Sequence, residues 1–274
     1  RAPRMVVLAT VAVFVLAAGA RLYDLNGAGQ TWDEDVNWSA GHNQMLNVLE
    51  LDASTTAWSW NYEHPPVMKY VAGVGALLGD DYAPARALMA LMVALACALL
   101  VPLGRSLAGL SVGVAAGVVA ALTPHLIAHG KVVGHEAMAV MWWSLAMYLA
   151  ATFWSAPTRP SEDRSAYLIR AIGLGAVIGL AAASRFVGGL AGVAATIVVV
   201  GLAPRERRWT FAAWLPALMA LAAVVTFYLV WPRMWTAPIE TVSSALAKLK
   251  KPHSLEPYLG ELTNQPGPSY FLVY

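Results

Sequence analysis

The segment "ALMALMVALACALLVPLG" (residues 87–104) decides the fold of this chain, because it contains no Asp, Glu, Lys or Arg. Its length is close to the ~17–25 residues that a helix needs to cross a bilayer, and Arg86 and Arg105 stand directly at its two ends. The whole chain is 58% hydrophobic and 12% charged, whereas soluble domains have about a quarter of charged residues. The sequence therefore predicts an integral membrane protein.

Further apolar segments of this kind fall along the rest of the chain, at residues 5–20, 110–128, 137–157, 171–184, 186–203 and 209–230. The first of them has the charge pattern of a signal peptide, but we interpret it as a retained helix because the rest of the chain also spans. The predicted fold is all-α, a polytopic transmembrane helix bundle with about seven spans.

The apolar segment 65–79 is shorter and carries Lys69, which favours a helix in the membrane interface over an eighth span. With a cytoplasmic N-terminus, the inner connections then contain seven basic residues: Arg105, Arg159, Arg164, Arg170, Arg205, Arg207 and Arg208. The outer connections between the later helices contain only Lys131 and Arg185. The positive-inside rule therefore supports this orientation.

The first outer loop, residues 22–85, is too long to be a simple connection. It begins with "TWDEDVNWSA" (31–40), in which Asp33, Glu34 and Asp35 lie between two tryptophans. The loop is predicted to form two helices along the membrane surface, near 34–50 and 66–79.

Other polar segments fall on the same outer side of the predicted topology. "YEHPPVMKY" (62–70) belongs to the first outer loop, and Arg86 opens the second span. "HGKVVGHEAM" (129–138) joins spans three and four, "SRF" with Arg185 forms a tight turn, and "WPRMW" (231–235) ends the last span. Acids, histidines and cations are thus expected to converge at one boundary of the membrane.

Each of these features also has a purely structural interpretation. The acids of "WDED" suit the N-cap and first turn of a helix. Lys131 and Glu136 suit an interfacial ion pair, and Arg185 suits a side chain that reaches lipid phosphate.

The ordered set of motifs resembles the protein O-mannosyltransferase family of GT-C glycosyltransferases. The set consists of "DE" after the first span, "HPP" followed by Lys69, Arg86 at the next span, a basic residue five before an acid, and "SRFVGGL". The closing "GPSYFLVY" (267–274) and "WPRMW" resemble the related bacterial branch, which includes the lipid A aminoarabinose transferases. The resemblance covers nearly the whole chain.

This resemblance implies transfer of a sugar from a polyprenyl-phosphate donor to an acceptor at the extracytoplasmic face of a bacterial plasma membrane. The acceptor is a Ser or Thr of a protein, lipid A or another glycan. By position, Asp33 matches the catalytic base and Glu34 its neighbour that helps to hold the acceptor. The implied substrate-binding residues are His64, Lys69, Arg86, Lys131, Glu136 and Arg185. Many relatives have Arg and Asp where this chain has Lys131 and Glu136, which bears on sugar and acceptor specificity.

The residue types also fit the chemistry. A carboxylate that takes the acceptor proton contributes about 10²–10⁴ in rate, and Asp33 is the candidate. Arg86, Lys131 and Arg185 are candidate cations for the leaving phosphate. A direct displacement needs one catalytic carboxylate and inverts the anomeric centre, so we predict inversion.

Several other classes of function are considered. A divalent metal could use Asp33 and Asp35 with Glu136 or His64, but the ligand spacing is not typical, and we predict no metal or other cofactor. The chain lacks a basic block for nucleic acid, and its single cysteine, Cys97, cannot form an internal disulfide. A transporter and a lipid-phosphate-binding scaffold without turnover remain alternatives.

Residues 1–231 are predicted to form the transmembrane glycosyltransferase module, and residues 232–274 an outer loop followed by the start of a further membrane helix at "SYFLVY". We therefore expect the chain to be part of a longer protein.

Overall fold

The protein is a bundle of helices with one short hairpin. The structure, a computed structural model, describes residues 2–27, 29–31, 33–155, 163–204, 214–249, 256–258 and 261–263. In chain order the helices are α1 (Ala2–Leu22), α2 (Glu34–Leu49), α3 (Val67–Leu78), α4 (Ala83–Ala108), α5 (Leu110–Leu122), α6 (Pro124–Gly130), α7 (His135–Ala151), α8 (Asp163–Ser184), a 3₁₀ helix (Phe186–Gly189), α9 (Leu190–Gly201), α10 (Trp214–Leu229), α11 (Arg233–Thr236) and α12 (Pro238–Leu249).

Strands β1 (Glu256–Tyr258) and β2 (Glu261–Thr263) pair in antiparallel register. The all-α class is confirmed for the body of the chain, and this hairpin was not part of the prediction.

Three helices, α1, α4 and α8, are long and apolar enough to cross a membrane. A fourth span results if α5 and α6 count as one broken span. The seven-span bundle is therefore not confirmed by the described residues. Predicted spans 137–157 and 209–230 both extend into residues outside the described part of the chain. Arg159, Arg205, Arg207 and Arg208, used for the orientation, and the segment 267–274 also lie outside it.

Local sequence explains where the helices break. Gly109 separates α4 from α5 with a φ of 105°, which an L side chain rarely adopts. Thr123 is extended because it precedes Pro124, and a residue before proline is disfavoured in the helical region. As a result α5 and α6 meet at a bend of 62°.

Helices α2 and α3 agree in their bounds with the two helices predicted in the first long loop. They pack face to face at Gly41 and Gly73, where an ideal Cβ on Gly73 would lie 2.2 Å from the carbonyl oxygen of Gly41. Only glycine fits such a close backbone approach. The pair forms a rigid platform beside the start of α4.

The polar connections of the bundle meet at one end, which we call the polar end. There, side-chain hydrogen bonds join the end of α1, the start of α4, the α6–α7 connection and the ends of α8 and α10. These bonds are Arg86 to Gly29, Lys131 to Tyr23, His135 to Ser184 and Tyr70 to Val230. The predicted convergence of these segments at one end of the helices is thus observed, while the side of the membrane remains a prediction.

We predict that Gly73→Ala lowers the free energy of unfolding by about 1–3 kcal/mol, because the added methyl group overlaps the backbone of Gly41. Gly173→Ala is the matched control, since an ideal Cβ on Gly173 has no atom within 4 Å. Thermal unfolding of the purified protein in detergent measures both. Equal stability of the two variants would contradict the close α2–α3 contact.

Candidate active site

A buried ion pair between Glu34 and Arg86 organises the polar end. Glu34 is the first residue of α2 and Arg86 lies in the first turn of α4. The guanidinium contacts both carboxylate oxygens, with 2.7 Å from Nε to Oε1 and 2.5 Å from Nη2 to Oε2. Glu34 is fully buried and Arg86 is 3% exposed. A bidentate pair of this geometry fixes α2 against α4.

Every N–H group of the Arg86 guanidinium is used inside the protein. Besides the two bonds to Glu34, Nη1 donates to the carbonyl of Leu25 and the side chain of Asn26. Nη2 also donates to the carbonyl of Gly29. A guanidinium has five N–H donors, so none is left for a lipid phosphate. The structure therefore shows Arg86 as a support of the fold, and the substrate-binding role expected from the sequence stays a prediction.

The carboxylate of Glu34 is likewise occupied by hydrogen bonds within the protein. Its carboxylate also accepts the backbone N–H groups of Val133, at 3.0 Å, and Thr31, at 3.2 Å. Burial by itself would raise the pKa of Glu34, but the hydrogen bonds from Arg86, Val133 and Thr31 outweigh it and lower the pKa. Glu34 thus remains charged and holds the α6–α7 connection, so it positions the site and does not reach an acceptor in this arrangement.

Asp33, one residue earlier, has a different environment. It is the N-cap residue of α2, its side chain makes no capping hydrogen bond, and it is exposed. Its negative charge acts on the imidazole of His64. Because successive helical residues point about 100° apart, Glu34 is buried while Asp33 faces outward. The structure thus leaves the Asp33 carboxylate free of hydrogen bonds to the described residues.

Lys69 holds the "HPP" segment in place. It is fully buried in α3, and its Nζ donates to the carbonyl of Asn61 and, at 2.7 Å, to that of His64. Burial lowers the pKa of Lys69 to about 7, while Glu63 raises it slightly. Lys69 therefore supports the backbone around His64. The sequence predicted that Lys69 contacts the substrate.

His64 lies against a second histidine, His135, that the sequence analysis did not select. Their ring centroids are 4.5 Å apart with the planes tilted by 48°. Burial lowers the pKa of His64, and the charge of Lys69 lowers it further. His135 is the first residue of α7 and is 7% exposed. The only signal in the sequence was its position next to Glu136.

Glu136 pairs with Arg185 across the connection between α8 and the 3₁₀ helix. Both side chains are about two-fifths exposed, at 38% and 44%. Arg185 lies between the two helices in an extended conformation, as the predicted "SRF" turn requires. The interpretation of Lys131 and Glu136 as an ion pair is wrong. Lys131 instead donates to the carbonyls of Tyr23 and Asp24 at the end of α1.

A chain of amide side chains connects these parts. Asn37 donates to the carbonyl of Val133 at 3.0 Å and accepts a hydrogen bond from Asn61 at 3.1 Å. Asn61 has a φ of 47°, a conformation that asparagine tolerates better than most residues. Neither residue was selected from the sequence, because single asparagines carry no recognisable motif.

We call the resulting group the polar cluster: Asp33, His64, Lys69, His135, Glu136 and Arg185. Charge interactions of His64 extend to Lys69, Arg185 and Asp33, and those of His135 extend to His64, Lys69 and Arg185. Five members of the cluster, all except His135, were site residues predicted from the sequence, whereas the predicted Lys131 lies at the end of α1.

An apolar groove of about 770 Å³ ends beside the polar cluster. It lies between α8, α9 and α10, with Phe186 and Phe227 at the polar end and Ile197 and Pro216 toward the other end. Phe186 directly follows Arg185, and its ring lies 6.1 Å from that of Trp231. The groove thus runs along the helices and terminates next to a cation.

Arg233, in the "WPRMW" segment, is a second cation, two residues after the Trp231 that lies against Phe186. It is 8% exposed, and its guanidinium lies over the ring of Tyr62 at 4.7 Å. Its one hydrogen bond to the described residues goes from Nη1 to the carbonyl of Trp58 at 3.5 Å, and its buried Nε has no partner there. No carboxylate in the described part of the chain pairs with Arg233.

Metal ligands are not assembled at this site in the described ranges. Asp33, Asp35, His64 and Glu136, the set considered from the sequence, do not form a group of three His, Cys, Asp or Glu side chains that could hold a metal ion. Glu136 is instead occupied by Arg185.

We predict that Arg86→Gln destabilises the fold by about 3–5 kcal/mol, since it leaves the buried Glu34 carboxylate without its counter-ion. Asp35→Asn is the control, because the exposed Asp35 side chain bonds only the neighbouring Val36 N–H. Thermal unfolding in detergent measures the difference. Wild-type stability of Arg86→Gln, with loss of lipid binding, would restore the ligand role predicted from the sequence.

Comparison with known proteins identifies the family. A family model described as "Dolichyl-phosphate-mannose-protein mannosyltransferase" matches residues 63–231. The match includes His64, Lys69, His135, Glu136 and Arg185, whereas Asp33 and Arg233 lie outside it. No curated protein and no solved structure matches the chain. The resemblance seen in the sequence is confirmed: the protein is a membrane glycosyltransferase of the mannosyltransferase type and belongs to the dolichyl-phosphate-mannose-protein mannosyltransferase family.

Proposed function

We propose that this protein transfers a sugar from a polyprenyl-phosphate donor to a hydroxyl acceptor, with Asp33 as the general base. The proposal is supported by the exposed Asp33 carboxylate, which has no hydrogen bond to the described residues and whose charge acts on His64, and by an apolar groove that ends at Phe186, the residue after Arg185. A polyprenyl-phosphate sugar has the same three parts, which are an apolar chain, an anionic phosphate and a polar sugar.

The reaction proceeds in a single displacement. Asp33 accepts the proton of the acceptor hydroxyl while the hydroxyl oxygen forms a bond to the anomeric carbon. The bond between that carbon and the phosphate oxygen breaks, and its electron pair leaves with the polyprenyl phosphate. General-base help of this kind contributes about 10²–10⁴ in rate.

Inversion of the anomeric centre is supported by the number of available carboxylates. Glu34 is held by Arg86 and Glu136 by Arg185, which leaves Asp33 as the free acid of the polar cluster. A retaining mechanism would need a second carboxylate as nucleophile, about 5–5.5 Å from the first.

The leaving phosphate gains negative charge, and Arg185 and Arg233 are placed to stabilise it. Arg185 precedes Phe186 and Arg233 follows Trp231 by two residues, so both cations belong to the chain segments that carry this aromatic pair. Arg233 takes the role that the sequence assigned to Arg86 and Lys131, because those two side chains are bonded within the protein.

The donor and acceptor follow from the family and the resemblance. The family's name supports mannose as the sugar and a protein as the acceptor, and the resemblance seen in the sequence adds Ser or Thr as the acceptor residue. Aminoarabinose, with lipid A or another glycan as acceptor, is the alternative that the bacterial branch supports. The polar end faces the extracytoplasmic side of a bacterial plasma membrane, with the N-terminus in the cytoplasm.

We predict that Asp33→Asn reduces transfer at least about 100-fold in membranes supplied with labelled polyprenyl-phosphate mannose or aminoarabinose, because the amide cannot accept the proton. Asp35→Asn is the matched control and should retain activity. The donor that wild type prefers identifies the sugar.

Two outcomes would contradict this role. Full activity of Asp33→Asn would exclude Asp33 as the base. The absence of transfer by wild type from either donor would favour a lipid-binding scaffold or a transporter.

Arg233 allows a test of the donor phosphate. We predict that wild type binds a polyprenyl phosphate more tightly than the matching polyprenol, and that Arg233→Gln removes about 10- to 100-fold of this preference. Binding is measured by titration of the purified protein in detergent. Lys248→Gln, which changes a half-exposed cation of the same region, should keep the preference. An unchanged preference in Arg233→Gln would place the phosphate elsewhere.

A further inference from the structure

His135 carries a buried nitrogen that nothing in the described chain satisfies. Its Nδ1 lies 2.9 Å from the carbonyl oxygen of Ser184, and its Nε2 is buried without a hydrogen-bond partner. A carbonyl oxygen can only accept, so the hydrogen must sit on Nδ1. In the neutral imidazole, Nε2 is then a buried bare acceptor with no donor among the described residues.

The neutral form of His135 is favoured by its surroundings. Burial lowers the pKa of His135 well below the ordinary value, and the adjacent His64 and the charges of Lys69 and Arg185 add to this effect. The Ser184 carbonyl acts in the opposite direction by accepting the Nδ1 hydrogen. The tautomer of His135 is therefore fixed by the backbone at the end of α8.

The group that can supply the missing donor is His64. Its ring centroid is 4.5 Å from that of His135, and its side chain is partly buried beside that ring. Lys69 fixes the backbone of His64 at the carbonyl and makes no hydrogen bond to the ring. Once one nitrogen of His64 donates to His135, the other must be a bare acceptor.

We propose that His135 is a positioning residue that orients His64, so that His64 presents a hydrogen-bond acceptor to a hydroxyl of the transferred sugar. The reacting hydroxyl of the acceptor is not the partner, since its hydrogen goes to Asp33. The chain of hydrogen bonds runs from the sugar through His64 and His135 to the Ser184 carbonyl, and its direction is set by that carbonyl. This inference rests on the proposed function.

The test compares His64→Gln, His135→Phe and the double variant in the transfer assay. His135→Phe should lower kcat/KM for the donor by about 10- to 100-fold and leave the KM of the acceptor unchanged. In the His64→Gln background, His135→Phe should lower kcat/KM for the donor by less than about threefold, because the two residues act as a unit. If the loss of kcat/KM in the double variant equals the product of the two single-variant losses, the proposal is overturned.

A spectroscopic readout separates orientation from a structural effect. With ¹⁵N-histidine labelling, the His64 ring nitrogens of wild type should give well-separated signals from one protonated and one bare nitrogen. His135→Phe should move them toward each other, and His135→Gln, which can restore an acceptor, should reverse part of this shift. Unchanged His64 signals in His135→Phe would contradict the proposal.

The second histidine pair of the chain provides the control. His125 and His129 have ring centroids 4.3 Å apart on α6, and His125 is exposed. His125→Phe should leave the transfer rate and the His64 signals as in wild type. If wild type and Asp33→Asn behave as the proposed function requires while His135→Phe retains full activity, only the role of His135 is wrong. If wild type does not transfer, the proposed function itself fails.

Discussion

The bidentate contact between Glu34 and Arg86 is the constraint on which the polar end depends. It joins the first residue of α2 to the first turn of α4, and its remaining hydrogen bonds reach the end of the α1–α2 loop and Val133 in the α6–α7 connection. Both groups are buried, so loss of either would leave an unpaired charge in a medium that solvates it poorly. Four chain segments are therefore fixed relative to one another by a single pair of side chains.

This arrangement gives two neighbouring acids different environments. Glu34 is buried and charged because Arg86 and two backbone N–H groups surround it, while Asp33 at the N-cap is exposed and free of such bonds. The ion pair thus fixes the helix start that carries Asp33 and leaves the Asp33 carboxylate available. A rigid support behind a reactive group is what a catalytic site requires, since misplacement by about 1 Å can cost 10²-fold in rate.

The position of the groove explains why the polar cluster lies where it does. The glycines and alanines of α8 allow α10 to approach closely, and the apolar space between them and α9 ends at Phe186. Arg185 and Arg233 belong to the chain segments that carry Phe186 and Trp231, whose rings lie 6.1 Å apart. An apolar groove whose end is formed by segments with cations suits the lipid-linked donor that we propose.

Much of the fold follows from the sequence alone, because apolar helices and their lengths depend on local composition. The membrane class, the helices α2 and α3, the "SRF" turn and the family were all recognisable from patterns of this kind. The number of spans was not fixed in this way, since α9 and α10 are shorter than a span within the described residues. The sequence also did not determine which charged side chains are free of partners within the described protein. Arg86, Lys69 and Lys131 look identical to binding residues in the sequence, and only the tertiary structure supplies the carbonyls and the carboxylate that occupy them. His135 became recognisable for the same reason, because the partners of a buried polar atom come from distant segments of the chain.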